Sequence, residues 1–547
     1  MDQQVNRRSF IKRAATTGGG VIATGAGLTP AAEAKRKPVR AHTERPNILV
    51  IMVDELRVPT WFPSQTKLDE LLPNLARLRR VATSFENHYT ASNMCVAARG
   101  TLLTGLYSQQ TGCMLTKLLT ESTLSPEFPT WGTMLRQQGY ETAWYGKWHL
   151  GPEPDDTPGG LEAYGFDGGT YPSPNGDPEQ GVQMDPKITD QFIDWFADKP
   201  RSPWSATVSF VNPHDINWWP RFTTSNETEA QQSSGYTFGS VPLNIETSEQ
   251  LQATKPRLQT ALQQTIGLAC GVVPDVGSVD SSLWLNDLQL YLWYQEQVDA
   301  QIGRVLDTLY AEPKVAANTI IVFTADHGEY AGSHGLRTKG GGVYEEAIHV
   351  PLYVVDPRGV YSNGRASVRT QFTSSVDIAP LMLTLAHGSS GWRSEARYSH
   401  IAGRADIAAI ARNKRTAGRP WIAHATDETT VEELSYSYSW ANECPHHVTA
   451  IRTSSAKYAN YAYWNSGTLN VEPGDQDLEL YDYGTTAGRL ELDNIAGAAP
   501  ALLGKMQELL EEKVIPDEIR KPLPKALHEA QEQGFANFYS VTSNPEP

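Results

Sequence analysis

Short apolar runs alternate with amphipathic stretches along most of this chain. Residues 46–53 (Pro46-Asn47-Ile48-Leu49-Val50-Ile51-Met52-Val53) carry no polar face, the pattern of a strand covered on both sides in a parallel sheet. Residues 318–325 repeat it, and residues 141–145 and 205–211 are shorter versions. Between these runs, apolar positions recur every three to four residues over 71–81, 283–310 and 376–385, and Pro129-Thr130 opens another such stretch. Alternation of strand and helix predicts an α/β fold with a doubly wound sheet. Residues 152–180, rich in Gly, Pro and Asp, read as a loop at a site mouth. Residues 221–282, rich in Ser, Thr and Gln, read as an insertion with little regular structure that shapes access.

After about residue 415 the period changes. Residues 448–452 and 457–463 alternate as hairpin strands, residues 479–483 follow, and a helix is predicted from Pro500 to Lys513. The expected division is therefore a main domain over 46–415, a small α+β subdomain over 416–515, and a Pro- and Glu-rich tail over 516–547. No internal repeat is visible.

Length and charge narrow the class. The 547 residues are enough for one large domain and a smaller one. The formal net charge is −16, and the first 45 residues hold nine Lys/Arg against three Asp/Glu, so the remainder is strongly acidic. Nucleic acid is excluded as a partner, since phosphate backbones need a basic face. Four cysteines (Cys95, Cys113, Cys270, Cys444) are too few for a disulfide framework. Asn6-Arg7-Arg8-Ser9-Phe10-Ile11-Lys12 is a twin-arginine export motif, followed by a weakly apolar stretch and a small-x-small cleavage site at Ala32-Glu33-Ala34. We expect a signal peptide over 1–34, a linker over 35–45, passage through the twin-arginine translocase, and a periplasmic or secreted protein. No segment approaches the ~18 uninterrupted apolar residues of a membrane span, so no stable anchor is expected.

The candidate chemistry lies at the ends of the strands. Asp54-Glu55 follows the first strand, and Asp326-His327-Gly328 ends the 318–325 strand. Gly146-Lys147-Trp148-His149 follows 141–145, and Asn212-Pro213-His214-Asp215 follows 205–211. In open parallel sheets such ends converge, which would bring these groups together. Asp54, Glu55 and Asp326 offer oxygens and His327 a nitrogen, a set suited to a divalent cation. In Ser92-Asn93-Met94-Cys95-Val96-Ala97-Ala98-Arg99-Gly100-Thr101-Leu102-Leu103-Thr104-Gly105, Cys95 opens a predicted helix and Arg99 adds a cation. A helix start with a cation beside it stabilises an anion. Lys339, in Ser333-His334-Gly335-Leu336-Arg337-Thr338-Lys339-Gly340, is a further candidate cation.

Taken together, these motifs resemble the type I sulfatases of the alkaline phosphatase superfamily. The signature is Cys-x-(Pro/Ala)-x-Arg followed by Leu-Leu-Thr-Gly, and motif order agrees over residues 46–360. The resemblance implies a large mixed, mostly parallel sheet sandwiched by helices, with a small C-terminal α+β subdomain. It implies that Cys95 is oxidised by a maturation enzyme to Cα-formylglycine, whose hydrate attacks the sulfur of a small-molecule or saccharide sulfate ester. Arg99 and His149 would orient that group and Lys147 would bridge it to the sulfate. His214 and Lys339 would contact the sulfate, with His214 protonating the leaving oxygen. Asp54, Glu55, Cys95, Asp326 and His327 would hold the metal, and oxygen-rich ligands favour Ca²⁺, with Mn²⁺ and Mg²⁺ as alternatives.

Four positions depart from the pattern: Ala97 for the commoner Pro, Glu55 for a second Asp, His327 for Asn, and His349 where Arg is usual. His327 and Asn212-Pro213-His214-Asp215 resemble the choline sulfatase and phosphonate monoesterase branch. A phosphonate monoester or phosphodiester hydrolase is therefore the alternative, with a non-catalytic binding protein behind it. Trp218 and Trp219 would either line a pocket or simply pack.

Overall fold

The computed structural model describes residues 45–543, apart from residues 115, 117–122, 152–158, 223–229, 231–234, 274–280, 363–364, 428–442 and 466. The expected signal peptide and nearly all of the linker lie outside the described residues.

Twelve described strands form two sheets. The large sheet uses β1 (Asn47–Val53), β2 (Thr83–Tyr89), β3 (Glu141–Gly146), β4 (Asp167–Gly168), β5 (Trp204–Phe210), β6 (Thr319–Ala325), β7 (Leu352–Val355) and β8 (Ser367–Ser374). Their order is β4-β3-β5-β1-β6-β7-β2-β8. Only β7 runs antiparallel to its neighbours. The small sheet is an antiparallel meander of β9 (Ile422–Asp427), β10 (His447–Arg452), β11 (Ala456–Trp464) and β12 (Val471–Asp482). The expected mixed α/β sheet and small C-terminal sheet are both present.

The helices used below are α1 (Gln65–Leu71), α2 (Pro73–Arg79), α3 (Cys95–Thr104), α4 (Trp131–Gln137), α5 (Gln180–Ala197), α6 (Ser248–Thr254), α7 (Arg257–Cys270), α8 (Ser281–Tyr310), α9 (Ile378–His387), α10 (Pro500–Leu509) and α11 (His528–Ser543). Alternate β1 residues serve opposite cores. Ile48, Val50 and Met52 pack under α3, α4 and α9, and Leu49, Ile51 and Val53 pack under α2, α5 and α8. This double cover explains why β1 has no polar face.

Four expectations are corrected. The helix expected over 71–81 is shorter, α2 (Pro73–Arg79), and a separate helix, α1, precedes it, because Pro73 cannot continue α1 and instead occupies the first turn of α2. The 221–282 insertion contains α6 and α7. Leu258, Ala261, Leu262 and Thr265 give α7 a buried face that its Gln and Thr residues mask in the sequence. Helical backbone after Pro500 continues beyond Lys513, through α10 into a π-helical segment, Leu510–Ile519. The expected tail contains α11, with Ala530 and Phe538 buried. No described helix is long and apolar enough to cross a membrane.

Candidate active site

Strands β3, β5, β1 and β6 are consecutive and parallel, so the residues after them emerge on one edge. Asp54 follows β1, Lys147 follows β3, His214 lies four residues past β5, and Asp326 and His327 follow β6. Gly146 is required for the turn into Lys147. Its φ is +99°, and a Cβ there would lie 1.9 Å from the Ser209 carbonyl oxygen. Cys95 comes from the other direction, as the first residue of α3, whose N-terminal turn is braced by Val96 N–H donating to Thr116 Oγ1 (3.0 Å).

Cys95 Sγ lies 3.0 Å from His327 Nε2 and 3.9 Å from Lys147 Nζ. Lys147 Nζ is 2.7 Å from Asp54 Oδ2. Arg99 reaches Asp54 Oδ2 (2.7 Å) through Nη2 and Asp326 Oδ2 (2.9 Å) through Nε, and Nη1 donates to the Lys147 carbonyl and Ser209 Oγ. All these side chains are buried. Burial alone would raise the Asp54 carboxyl, but Lys147 and Arg99 outweigh it and hold it well below its usual range. Burial likewise opposes a thiolate at Cys95, yet Lys147 and Lys339 bring the thiol below its ordinary value. Burial would lower His327, and Asp326 and Cys95 instead push it up to about 10.

Asp54, Cys95, Asp326 and His327 each offer a ligand atom within 4.8 Å of the others. Asp54 Oδ1 is buried without a hydrogen-bond partner among the described residues. His327 Nδ1 faces the Gly328 carbonyl at 3.0 Å, so Nδ1 carries a proton, and a cation bound in the cluster would displace the proton on Nε2 and take its lone pair. This donor set fits a divalent cation.

Glu55 belongs to a second group, with Asp54 and His214, whose ligand atoms also lie within 4.8 Å of one another, so Asp54 is shared between the two groups. The Glu55 backbone is left-handed (φ +66°). Its Oε2 accepts from Asn217 Nδ2 (2.8 Å) and Lys339 Nζ (3.0 Å), with His214 Nε2 at 3.9 Å. The Arg99 guanidinium bonds Asp54 and Asp326 and so braces both acidic residues. His149, at φ +57°, is buried beside the cluster, and burial, followed by repulsion from Lys147 and Arg99, holds it well below its ordinary value. His214 is lowered for the same reason, with Lys147 and Lys339 as the repelling charges.

Supporting residues not anticipated are Ser209, Asn217, Tyr291 and Glu329. Tyr291 Oη donates to the Glu55 carbonyl (2.8 Å), and Glu329 Oε1 accepts from Ala331 N and Thr338 N, closing the hairpin that delivers Lys339. Glu329 was visible as the acid after Asp-His-Gly, and Asn217 as the polar residue three past His214. Ser209 and Tyr291 carried no sequence signal. Trp219 is fully buried in the core, and Trp218 Nε1 donates to the Gly176 carbonyl, so both tryptophans pack. His349 bonds the Glu86 carbonyl and stacks on Tyr89. None of the four cysteines forms a disulfide.

A buried thiol at a helix start, ringed by lysine, arginine and histidine and by carboxylates suited to a cation, defines a hydrolase of anionic esters. The sulfatase family profile matches residues 46–389, and the chain belongs to this family of sulfuric ester hydrolases. An uncharacterized sulfatase of Escherichia coli, YidJ, is 28% identical over 373 residues, covering 63% of this chain and 68% of that protein. The choline-sulfatase of Rhizobium meliloti is 26% identical over 389 residues, with the same coverage of each chain (63% and 68%). The phosphonate monoester hydrolase of Silicibacter pomeroyi shares the fold, with a TM-score of 0.63 at 20% identity over 86% of this chain and 94% of that one.

Proposed function

We propose that this sulfatase is exported and metal-dependent, and that it hydrolyses sulfate monoesters through a formylglycine made from Cys95. The observation carrying this reading is the position of Cys95 Sγ, 3.0 Å from His327 Nε2 and 3.9 Å from Lys147 Nζ inside the Asp54–Asp326–His327 cluster. Asp54, Asp326, His327 and the residue-95 side chain would hold the cation, Ca²⁺ by the hardness of its ligands, which draws charge from the sulfate oxygens. Oxidation by a maturation enzyme gives residue 95 an aldehyde, whose hydrate supplies an oxygen nucleophile.

The remaining roles belong to side chains of this chain. Lys147 and Lys339 bind the sulfate from two sides, and His149 orients residue 95. Arg99 keeps Asp54 and Asp326 in place. His214 serves the leaving oxygen. Burial opposes a proton on His214 and Lys147 and Lys339 add to that opposition, while a bound sulfate anion would offset the repulsion and favour the imidazolium. The similarity to choline-sulfatase makes small alkyl sulfates the first esters to screen, with sulfated saccharides alongside them. The Asn6–Lys12 motif supports passage through the twin-arginine translocase to the periplasm or medium.

The test is the mass of the tryptic peptide spanning residues 81–99, from protein made in its native host. An aldehyde at position 95, trapped by hydrazide, is the expected result, and an intact, alkylatable thiol in active protein would exclude it. A second reading keeps the site and changes the ester to a phosphonate monoester or phosphodiester. The imidazole ligand His327 favours it. Turnover of 4-nitrophenyl sulfate against a phenyl phosphonate ester separates the two.

A further inference from the structure

The loop that carries His214 is tied to α5 by two buried carboxylates, each gripping the backbone of the other's element. Asp215 Oδ1 accepts from Gly181 N–H (2.9 Å) and Oδ2 from Val182 N–H (3.0 Å), in the first turn of α5. The residue preceding α5, Glu179, sits at φ +60° and gives the helix no side-chain cap. Asp215, from the loop after β5, supplies the missing acceptor at the positive end of an 18-residue helix. Asp185, one turn further along α5, sends its carboxylate back the other way. Its Oδ1 accepts from Val211 N–H (2.7 Å) and its Oδ2 from Asn212 N–H (3.0 Å).

The four gripped amides lie on two elements, and the loop residues involved, 211, 212 and 215, bracket His214. Asp185 is 2% exposed and Asp215 fully buried. A helix cap alone does not call for two buried acids, since Ser or Thr would cap α5 at a smaller desolvation cost. The imidazole is closed in from a third side. A Cβ on Gly176 would lie 2.4 Å from His214 Cε1, and Trp218 Nε1 holds the Gly176 carbonyl at 2.7 Å. His214 Nδ1 has no hydrogen-bond partner among the described residues, while Nε2 faces Glu55. The ring is thus fixed by its surroundings rather than by a bond of its own.

We infer that Asp185 and Asp215 are positioning residues for departure of the alcohol. They touch neither substrate nor nucleophile, and their crossed bonds set the distance and angle at which His214 meets the ester oxygen. This rests on the assignment of His214 to the leaving group. In the step concerned, the nucleophile's oxygen bonds to sulfur as the bond from sulfur to the ester oxygen breaks. The ester oxygen keeps the electron pair and takes a proton from the His214 imidazolium, which becomes neutral.

Leaving-group dependence tests this, because 4-nitrophenolate departs without a proton and phenolate does not. The comparison uses the mature, metal-loaded enzyme with 4-nitrophenyl sulfate and phenyl sulfate. His214→Asn should lose about 100-fold or more in kcat/KM on phenyl sulfate and less than about tenfold on the nitrophenyl ester. Asp185→Asn and Asp215→Asn, read separately so that one folded variant suffices, should each show the same skew, with about tenfold or more lost on phenyl sulfate. Folding is checked by thermal melting. An equal loss on both esters in a folded Asp variant, with His214→Asn skewed, overturns the positioning role alone. An unskewed His214→Asn overturns the leaving-group assignment and this inference with it.

Discussion

Arg99 Nη2 lies 2.7 Å from Asp54 Oδ2, and neither side chain reaches solvent. The same guanidinium holds Asp326 at 2.9 Å, so one buried cation serves two carboxylates at the heart of the site. Arg99→Met would leave both anions short of charge, and we expect metal-free protein to lose about 3–5 kcal/mol of unfolding free energy. Denaturant unfolding after dialysis against chelator measures it. An unchanged midpoint would mean that Lys147 alone balances the pair.

Removing the cation should abolish turnover without unfolding the chain, because Arg99 and Lys147 still neutralise Asp54. We expect EDTA-treated enzyme to keep its far-ultraviolet circular dichroism and to regain activity on adding Ca²⁺. Asp326→Asn should weaken metal affinity by about tenfold or more in calorimetric titration. Equal affinity in that variant would remove Asp326 from the ligand set.

Asp287, 1% exposed on α8, has no hydrogen-bond partner for either carboxylate oxygen among the described residues. Burial pushes it up to about 7 from 3.8, against the pull of Arg337 and Arg57. The folded state therefore holds the proton more tightly than the unfolded chain. That contribution is complete below about pH 4 and is lost as pH rises through 7, up to about 4 kcal/mol. Asp287→Asn stays neutral, so its stability relative to wild type should be greater at pH 8 than at pH 5. Parallel stability–pH curves for the two proteins would contradict this.

Phe538 of α11 is 2% exposed and packs on Met114. Phe538→Ala should cost about 3–5 kcal/mol in unfolding free energy while leaving kcat/KM near wild type at 25 °C. A loss below 1 kcal/mol would show that α11 is only loosely held.

What the sequence disclosed follows from how each residue works. β1 and β6 were readable because burial on both faces leaves an unbroken apolar run, and their chemistry sits at the next residue. β2 was not, since Thr83-Ser84-Phe85-Glu86-Asn87-His88-Tyr89 mixes exposed and buried positions near one end of the sheet. α5 stayed hidden behind Pro186, and α7 behind its Gln and Thr residues. Cys95, Lys147, His214 and Asp326 carry local motifs, so they could be named in advance. Glu55 could be named from its place beside Asp54, but its left-handed backbone and its bond to Lys339 could not be read from the sequence. Ser209, Tyr291 and Asp185 act only through partners distant in the chain, and no local pattern marks them.

Cys95 is 1% exposed. Its near neighbour His327 lies 232 residues downstream, and β9, which bonds the Ala91 carbonyl through Ala425 N–H, comes later still. A ribosome adding about 5–20 residues per second needs roughly 10–50 s to produce His327 after Cys95. Throughout that interval the thiol has no lid. If Cys95 is matured as proposed, the depth at which the finished protein stores it would set a deadline for the oxidising enzyme, and the pace of translation would become part of how much active enzyme a cell obtains.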